Sequence, residues 1–183
     1  MPLSLSETAV LIATALKERD VRAMRKINDR CIEETAIKFS QHTYLFALIS
    51  YVLSKIMSKP RYFAQKKSKA ILSNVAMLLS ACERSAKEAD YNELLSCQNR
   101  ILTAIEKMDE SDRRFVKGIL TKGKLKIAST LYAQGISLGS AAEMTGTDKR
   151  ELLSYAGQTM MFDRLKEKKG IEERMKELRG LFS

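Results

Sequence analysis

The spacing of its apolar residues is the feature that most constrains this chain, because they recur three or four positions apart along most of the sequence. One face of a helix, for example, would carry Val21, Met24, Ile27, Cys31 and Phe39. No segment shows a sustained alternation of apolar and polar residues, and only two prolines interrupt the chain. The pattern therefore predicts an all-α fold.

Capping signals predict where several of these helices begin. Ser4 and Glu7 have the spacing of a capping box, in which each side chain accepts a hydrogen bond from the other residue's backbone amide. Asp20 and Asp90 each precede a helical pattern and can accept hydrogen bonds from the first free amides. We therefore expect separate helices to start after residues 4, 20 and 90.

The first 109 residues are predicted to form a multi-helix bundle. A helix over residues 43–58 is apolar on nearly all sides, so we expect it to lie at the centre of the bundle. The next helix begins near Pro60 and is predicted to continue to about residue 89. Gly123 is expected to bend or divide a later helix, since glycine weakens helix interiors.

Residues 110–160 form a second predicted unit, in which glycines and hydroxyl residues separate three short helices. Gly135 can end the first of them in a left-handed conformation, and Ser137 can cap the second. Gly146 permits a tight turn, and Thr147 is expected to cap the third helix. Two helices joined by a short glycine-containing turn are typical of a helix-turn-helix.

This unit resembles the helix-turn-helix modules of small prokaryotic antitoxin-like DNA-binding proteins. The matching residues are Leu138, Ala141, Ala142, Glu143, Met144, Gly146, Leu152 and Leu153. Elsewhere, residues 49–56 and Lys59-Pro60-Arg61-Tyr62 resemble uncharacterised archaeal helical proteins, a likeness that implies no activity.

The helix-turn-helix resemblance implies a DNA-binding regulator of transcription whose recognition helix, residues 147–155, lies in the major groove. Asp148 and Glu151 place negative charge on that helix, where DNA phosphates would repel it. The residues expected to contact DNA are Lys122, Lys124, Lys126, Thr147, Lys149, Arg150 and Ser154.

The distribution of charge is consistent with a nucleic-acid partner. The chain carries 32 basic and 22 acidic residues, for a formal net charge of +10. Residues 35–82 and 113–142 contain no Asp or Glu, so each segment could attract phosphates. The first segment contains a second basic cluster, formed by Lys59, Arg61, Lys66, Lys67 and Lys69. An equally simple interpretation is a solvated helix face whose acidic partners come from elsewhere in the fold.

Catalytic, metal and cofactor sites are not predicted. A structural zinc site needs about four Cys or His ligands, whereas this chain has three separated cysteines and one histidine, His42. There is no GxxxxGK[ST] or GxGxxG phosphate-binding loop. The sequence also lacks a membrane-length apolar run and a signal peptide pattern, so we expect a cytoplasmic protein with reduced thiols and no membrane partner.

Residues 161–183 are predicted to form a charged C-terminal helix. Its narrow apolar stripe comprises Ile171, Met175, Leu178 and Phe182. The stripe could pack on the chain's own bundle or form the seam of a homodimer. The alternative to DNA binding is therefore a helical protein-interaction or scaffold module. Binding of RNA through the same basic clusters is a weaker possibility, because aromatic residues for base stacking are sparse.

Overall fold

The computed structural model describes residues 3–110 and 118–159, and the described chain is helical with short connections. The all-α prediction is confirmed. Within the described residues the helices are α1 (Leu5–Glu18), α2 (Val21–Ile37), α3 (Gln41–Met57), α4 (Pro60–Ala64), α5 (Lys66–Lys87), α6 (Tyr91–Glu110), α7 (Ile119–Ala133), α8 (Leu138–Thr145) and α9 (Lys149–Thr159).

The predicted caps of α1, α2 and α6 are confirmed. The Ser4 hydroxyl accepts a hydrogen bond from the Glu7 amide at 3.2 Å, and the Ser4 amide donates to Glu7 Oε2 at 2.8 Å. Asp20 accepts hydrogen bonds from two amides in the first turn of α2, and Asp90 accepts one from the first turn of α6. Local polar contacts thus fix where these helices start.

Helix α3 lies at the centre of the packing, as its apolar composition predicted. Twelve of its seventeen residues are buried, and it contacts α1, α2, α4, α6 and α7. Its buried serines, Ser50 and Ser54, donate their hydroxyls to carbonyl groups of the same helix. At its start, the buried Gln98 amide donates to the His42 carbonyl at 2.9 Å, which joins α3 to α6.

The prediction of a single helix from Pro60 to residue 89 is wrong, because the structure divides this segment into α4 and α5. Gln65 has an extended backbone, with φ −82° and ψ 131°. The break accompanies burial of Tyr62, which is 3% exposed, and of part of Phe63, whose ring lies under the Arg19 guanidinium. These long-range contacts favour the break at a position that carries neither glycine nor proline.

The predicted bend or division at Gly123 is also wrong, since α7 continues through this residue. A Cβ atom at Gly123 would lie 2.8 Å from Leu48 Cδ1 and 3.1 Å from Tyr51 Cδ1. Glycine therefore allows α7 to approach α3 more closely than any other residue would.

The core is continuous between the N-terminal helices and α7 to α9. Ile127, Ala141 and Leu152 belong to the same buried cluster as the side chains of α3. The Tyr44 hydroxyl of α3 donates to the Thr145 carbonyl at the end of α8, at 3.0 Å. The boundary between the predicted N-terminal bundle and the unit that begins at residue 110 stays a prediction.

Several sequence predictions fall outside the described residues. They concern the charged helix 161–183 with its apolar stripe, and the basic residues Arg113, Arg114 and Lys117. Among the helices that are described, none combines the length and the apolar content that a bilayer span requires.

Candidate nucleic-acid interface

Helices α8 and α9 are joined by the tight turn that the sequence predicted at Gly146. Ser137 caps α8 by accepting a hydrogen bond from the Ser140 amide at 3.1 Å. Gly146 ends α8 with φ 62°, and the Thr147 amide returns to the Ala142 carbonyl at 3.0 Å. This pattern of reverse hydrogen bonds is a common helix termination that favours glycine. The turn therefore fixes the direction in which α9 leaves α8.

The residue that caps α9 is Asp148, so our assignment of Thr147 to this role is wrong. The Asp148 carboxylate accepts hydrogen bonds from the amides of Arg150 at 2.9 Å and Glu151 at 3.0 Å. The Thr147 hydroxyl instead lies 2.9 Å from the Thr145 hydroxyl. An aspartate is an equally good cap and also opposes the positive end of the helix dipole. The negative charge at position 148 thus has a structural use.

One side of α9 is anchored in the core. Leu152 and Ala156 are fully buried, and the small residues Ala141 and Ala142 of α8 allow the helices to approach. Tyr155 is half-buried, and burial raises the pKa of its hydroxyl. The pKa of Tyr51 in α3 is raised to about 12, first by desolvation and then by the neighbouring Tyr155. Helix α9 therefore packs against α7 and α8.

The other side of α9 is exposed and carries three of the residues expected to contact DNA. A helix turns by about 100° per residue, which places Arg150 and Ser154 on one outward face and Lys149 at its edge. All three are exposed. The same face includes Leu153, which is 52% exposed, and Gln158, whose amide donates to the Ser154 hydroxyl at 3.3 Å. We call Lys149, Arg150, Leu153, Ser154 and Gln158 the α9 face.

Two of the five residues of the α9 face were not predicted from the sequence. Leu153 was named only as a residue that matches the helix-turn-helix modules, and Gln158 lies beyond the expected recognition helix, which ended at residue 155. The helix continues at least to Thr159, so Gln158 falls one turn after Ser154. The spacing of four residues between Ser154 and Gln158 is the signal in the sequence that could have identified Gln158.

The acidic residues of this region lie beside the α9 face. Glu151 is half-buried and is rotated by about 100° from Arg150, but it lies only about 20° from Gln158, at the edge of the α9 face. Glu143 is exposed on α8 and lines the cleft of about 890 Å³ between α8 and α9. Lys149 extends over the other end of this cleft, where its Nζ lies 3.7 Å from the position a Cβ would take at Gly139.

The three lysines predicted to contact phosphates from α7 do not share one face. Lys122 and Lys126 are four residues apart and lie on one side, whereas Lys124 is rotated by about 200° from Lys122. Lys126 also lies near Asp29 of α2. Burial raises the pKa of the Asp29 carboxyl, and the positive charge of Lys126 offsets part of that increase. A single phosphate-binding row from all three lysines is therefore incompatible with the helix geometry.

The second basic cluster lies around the start of α5. Lys66, Lys67 and Lys69 are exposed, whereas Lys59 is half-buried and precedes α4. The side chain of Arg61 lies outside the part of the chain that the structure describes.

Comparisons with protein-family models, with curated proteins and with solved structures find no match to this chain. Within residues 3–110 and 118–159, no group of three or more His, Cys, Asp or Glu residues is placed to hold a metal ion.

Proposed function

We propose that this protein binds duplex DNA with α8 and α9 acting as a helix-turn-helix, and that it regulates transcription by this means. The observation that carries the proposal is the two-sided character of α9. Its inner side, Leu152 and Ala156, is fully buried, while its outer side presents Lys149, Arg150 and Ser154 to solvent. A recognition helix needs this combination of a fixed inner side and a polar outer side.

The α9 face has the chemistry that base-edge readout uses. The Arg150 guanidinium can donate two hydrogen bonds to a guanine, and the Gln158 amide can pair with an adenine. Leu153 offers an apolar contact for a thymine methyl group, and this would account for its exposure. A helix with its side chains is about 10–12 Å in diameter, so α9 would fit in a major groove about 12 Å wide.

Charge supports approach to DNA but does not by itself select a sequence. The formal net charge of +10 attracts the phosphate backbone over about one Debye length. Asp148 engages two backbone amides, so part of its charge is offset before DNA approaches. Glu143 remains exposed at the edge of the α8–α9 cleft and opposes phosphate contacts there.

The test is a fluorescence-anisotropy titration of a mixed-sequence 30-base-pair duplex across a salt series. The recognition variant, Lys149→Ala with Arg150→Ala, should bind more weakly than the wild type. The slope of log K for binding against log salt is negative, and its magnitude should decrease by up to about 1.8 in this variant. The matched control is Arg22→Ala with Lys26→Ala, which removes one arginine and one lysine from exposed positions on α2. Equal affinities of the recognition variant and the wild type would remove the recognition-helix assignment.

A protein-interaction function is the second candidate, and one apolar surface favours it. Ile37 is 86% exposed at the end of α2, and Tyr91 is 54% exposed nearby. Both line an open groove of about 990 Å³ that also includes Leu3 and Leu5. Sedimentation of the wild type and of Ile37→Ser would test self-association through this surface. A protein that is monomeric at every concentration would exclude a homodimer.

A further inference from the structure

The first half of α5 is flanked by two basic grooves that the linear sequence does not reveal. One groove runs between α1 and α5, and the other between α5 and α6. Together they contain six cationic side chains, which we call the α5 basic surface: Lys17, Arg19, Lys67, Lys69, Arg100 and Lys107. The end of α1, which is distant in sequence, contributes to it together with α5 and α6.

The α1–α5 groove holds Lys17, Arg19 and Lys69. Arg19 is the most constrained of these, because its backbone is left-handed, with φ 56°. Its guanidinium lies 4.4 Å from the centre of the Phe63 ring, which fixes its plane. An arginine held in this way loses less entropy when it binds an anion than a freely rotating side chain does.

The α5–α6 groove holds Lys67, Arg100 and Lys107, together with the neutral polar residues Asn74 and Thr103. Lys67, Arg100 and Lys107 are exposed. Asn74 and Thr103 can donate hydrogen bonds to phosphate oxygens without adding negative charge.

Neither groove is lined by a carboxylate among the residues that the structure describes. None of the six cations forms an ion pair with a described carboxylate. Glu18 and Glu106 adjoin Arg19 and Lys107 in the sequence, but neither glutamate lines a groove. The grooves therefore concentrate positive charge that the described carboxylates do not neutralise.

We propose that the α5 basic surface is a second, sequence-independent contact site for the phosphodiester backbone of duplex DNA. A bilayer surface is less suited, because Met77 is the one exposed large apolar side chain on α5, and no such side chain of the described residues lines either groove. A single strand is also less suited, because Phe63 is the one aromatic residue of the described grooves and Arg19 covers it.

The spacing of the grooves matches a duplex. They lie on opposite sides of α5, and a helix with its side chains is about 10–12 Å in diameter. The major groove of DNA is about 12 Å wide, so the two rows of cations can reach phosphates on both of its edges. This inference rests on the proposed function only in taking duplex DNA as the ligand, since no residue of α8 or α9 takes part.

The experiment compares two triple variants with the wild type on the same mixed-sequence duplex across a salt series. The groove variant is Lys69→Gln, Arg100→Gln and Lys107→Gln, and the control is Arg22→Gln, Lys26→Gln and Lys38→Gln. Each removes one arginine and two lysines from exposed positions. In the groove variant, the magnitude of the slope of log K against log salt should decrease by about 0.9 for each lost phosphate contact. This decrease should be larger than the one in the control. Circular dichroism verifies that both variants are folded.

The possible outcomes separate the two proposals. If the groove variant and the control have equal slopes while the recognition variant loses affinity, the second site is refuted and the helix-turn-helix proposal stands. If only the groove variant loses affinity, the second site stands and the recognition helix is refuted. A wild type that binds phosphatidylserine vesicles but no duplex at low salt overturns the second site in favour of a membrane surface.

Discussion

Gly123 and Gly157 both lie inside helices, but their surroundings predict opposite responses to the same substitution. Gly123→Ala would place a methyl group 2.8 Å from Leu48 Cδ1, and overpacking of this kind costs about 1–3 kcal/mol. The better helix propensity of alanine offsets about 1 kcal/mol of that cost. We expect a net decrease in the free energy of unfolding of about 1 kcal/mol.

Gly157→Ala is the matched control for this prediction. No atom of residues 3–110 or 118–159 lies within 4 Å of the position that a Cβ would take at Gly157. Alanine should therefore raise the free energy of unfolding, by about 0.5–1 kcal/mol. Urea denaturation measures both variants. Stabilisation by Gly123→Ala equal to that by Gly157→Ala would contradict the close approach of α7 and α3.

The cysteine thiols of the described chain should react slowly with thiol reagents while the protein is folded. Burial raises the pKa of Cys31 and of Cys82 to about 12 and also raises that of Cys97. The reactive species is the thiolate, so little of it is present in the folded protein at pH 8. A disulfide-exchange reagent should label all three thiols quickly only in denaturant. Fast labelling of the native protein would contradict their burial.

At the scale of single elements, the start of α9 depends on the side chain of residue 148. Asp148→Ala removes two hydrogen bonds to backbone amides and should lower the free energy of unfolding by about 1 kcal/mol. Asp148→Asn keeps a capping oxygen and should change stability much less. It should also strengthen DNA binding, because one negative charge near the phosphates is removed. Thermal unfolding followed by circular dichroism and a DNA titration measure the two effects separately.

The helix starts of α1, α2 and α6 could be predicted because each cap uses residues within one turn of the helix. Ser4 with Glu7 and the aspartates at 20 and 90 are local signals of this kind. The break at Gln65 could not be predicted, because it accompanies the burial of Tyr62 and the contact of Phe63 with Arg19, which is distant in sequence. Thr147 and Asp148 are both good capping residues, and only the geometry of the turn after Gly146 decides between them.

For the whole molecule, the continuous core predicts that α7 to α9 unfold together with the N-terminal helices. Tyr44→Phe removes the hydrogen bond to the Thr145 carbonyl, which joins residues 101 positions apart, and should cost about 1 kcal/mol. Unfolding should remain one cooperative transition in both proteins. Urea curves recorded by far-ultraviolet circular dichroism and by tyrosine fluorescence should coincide. Two separated transitions would contradict the shared core.

The candidate DNA site was predictable to the extent that it lies on one helix. Arg150 and Ser154 share an exposed face because they are four residues apart, and Lys149 lies at its edge. The α7 lysines were grouped by adjacency in sequence, which the helix geometry does not preserve. The α5 basic surface combines Arg19 with Arg100, and only tertiary packing places these two residues beside α5. Charge patterns along a sequence therefore identify single helix faces better than they identify grooves.

The central claim is that the α9 face contacts duplex DNA, and amide chemical-shift mapping tests it most directly. The measurement adds duplex DNA to the ¹⁵N-labelled protein and follows each amide signal. We predict that the largest shifts lie between Lys149 and Gln158 and at the start of α8, with smaller shifts on the α5 basic surface. Binding that shifts the amides around Ile37 and Tyr91 and leaves α9 unchanged would contradict the claim.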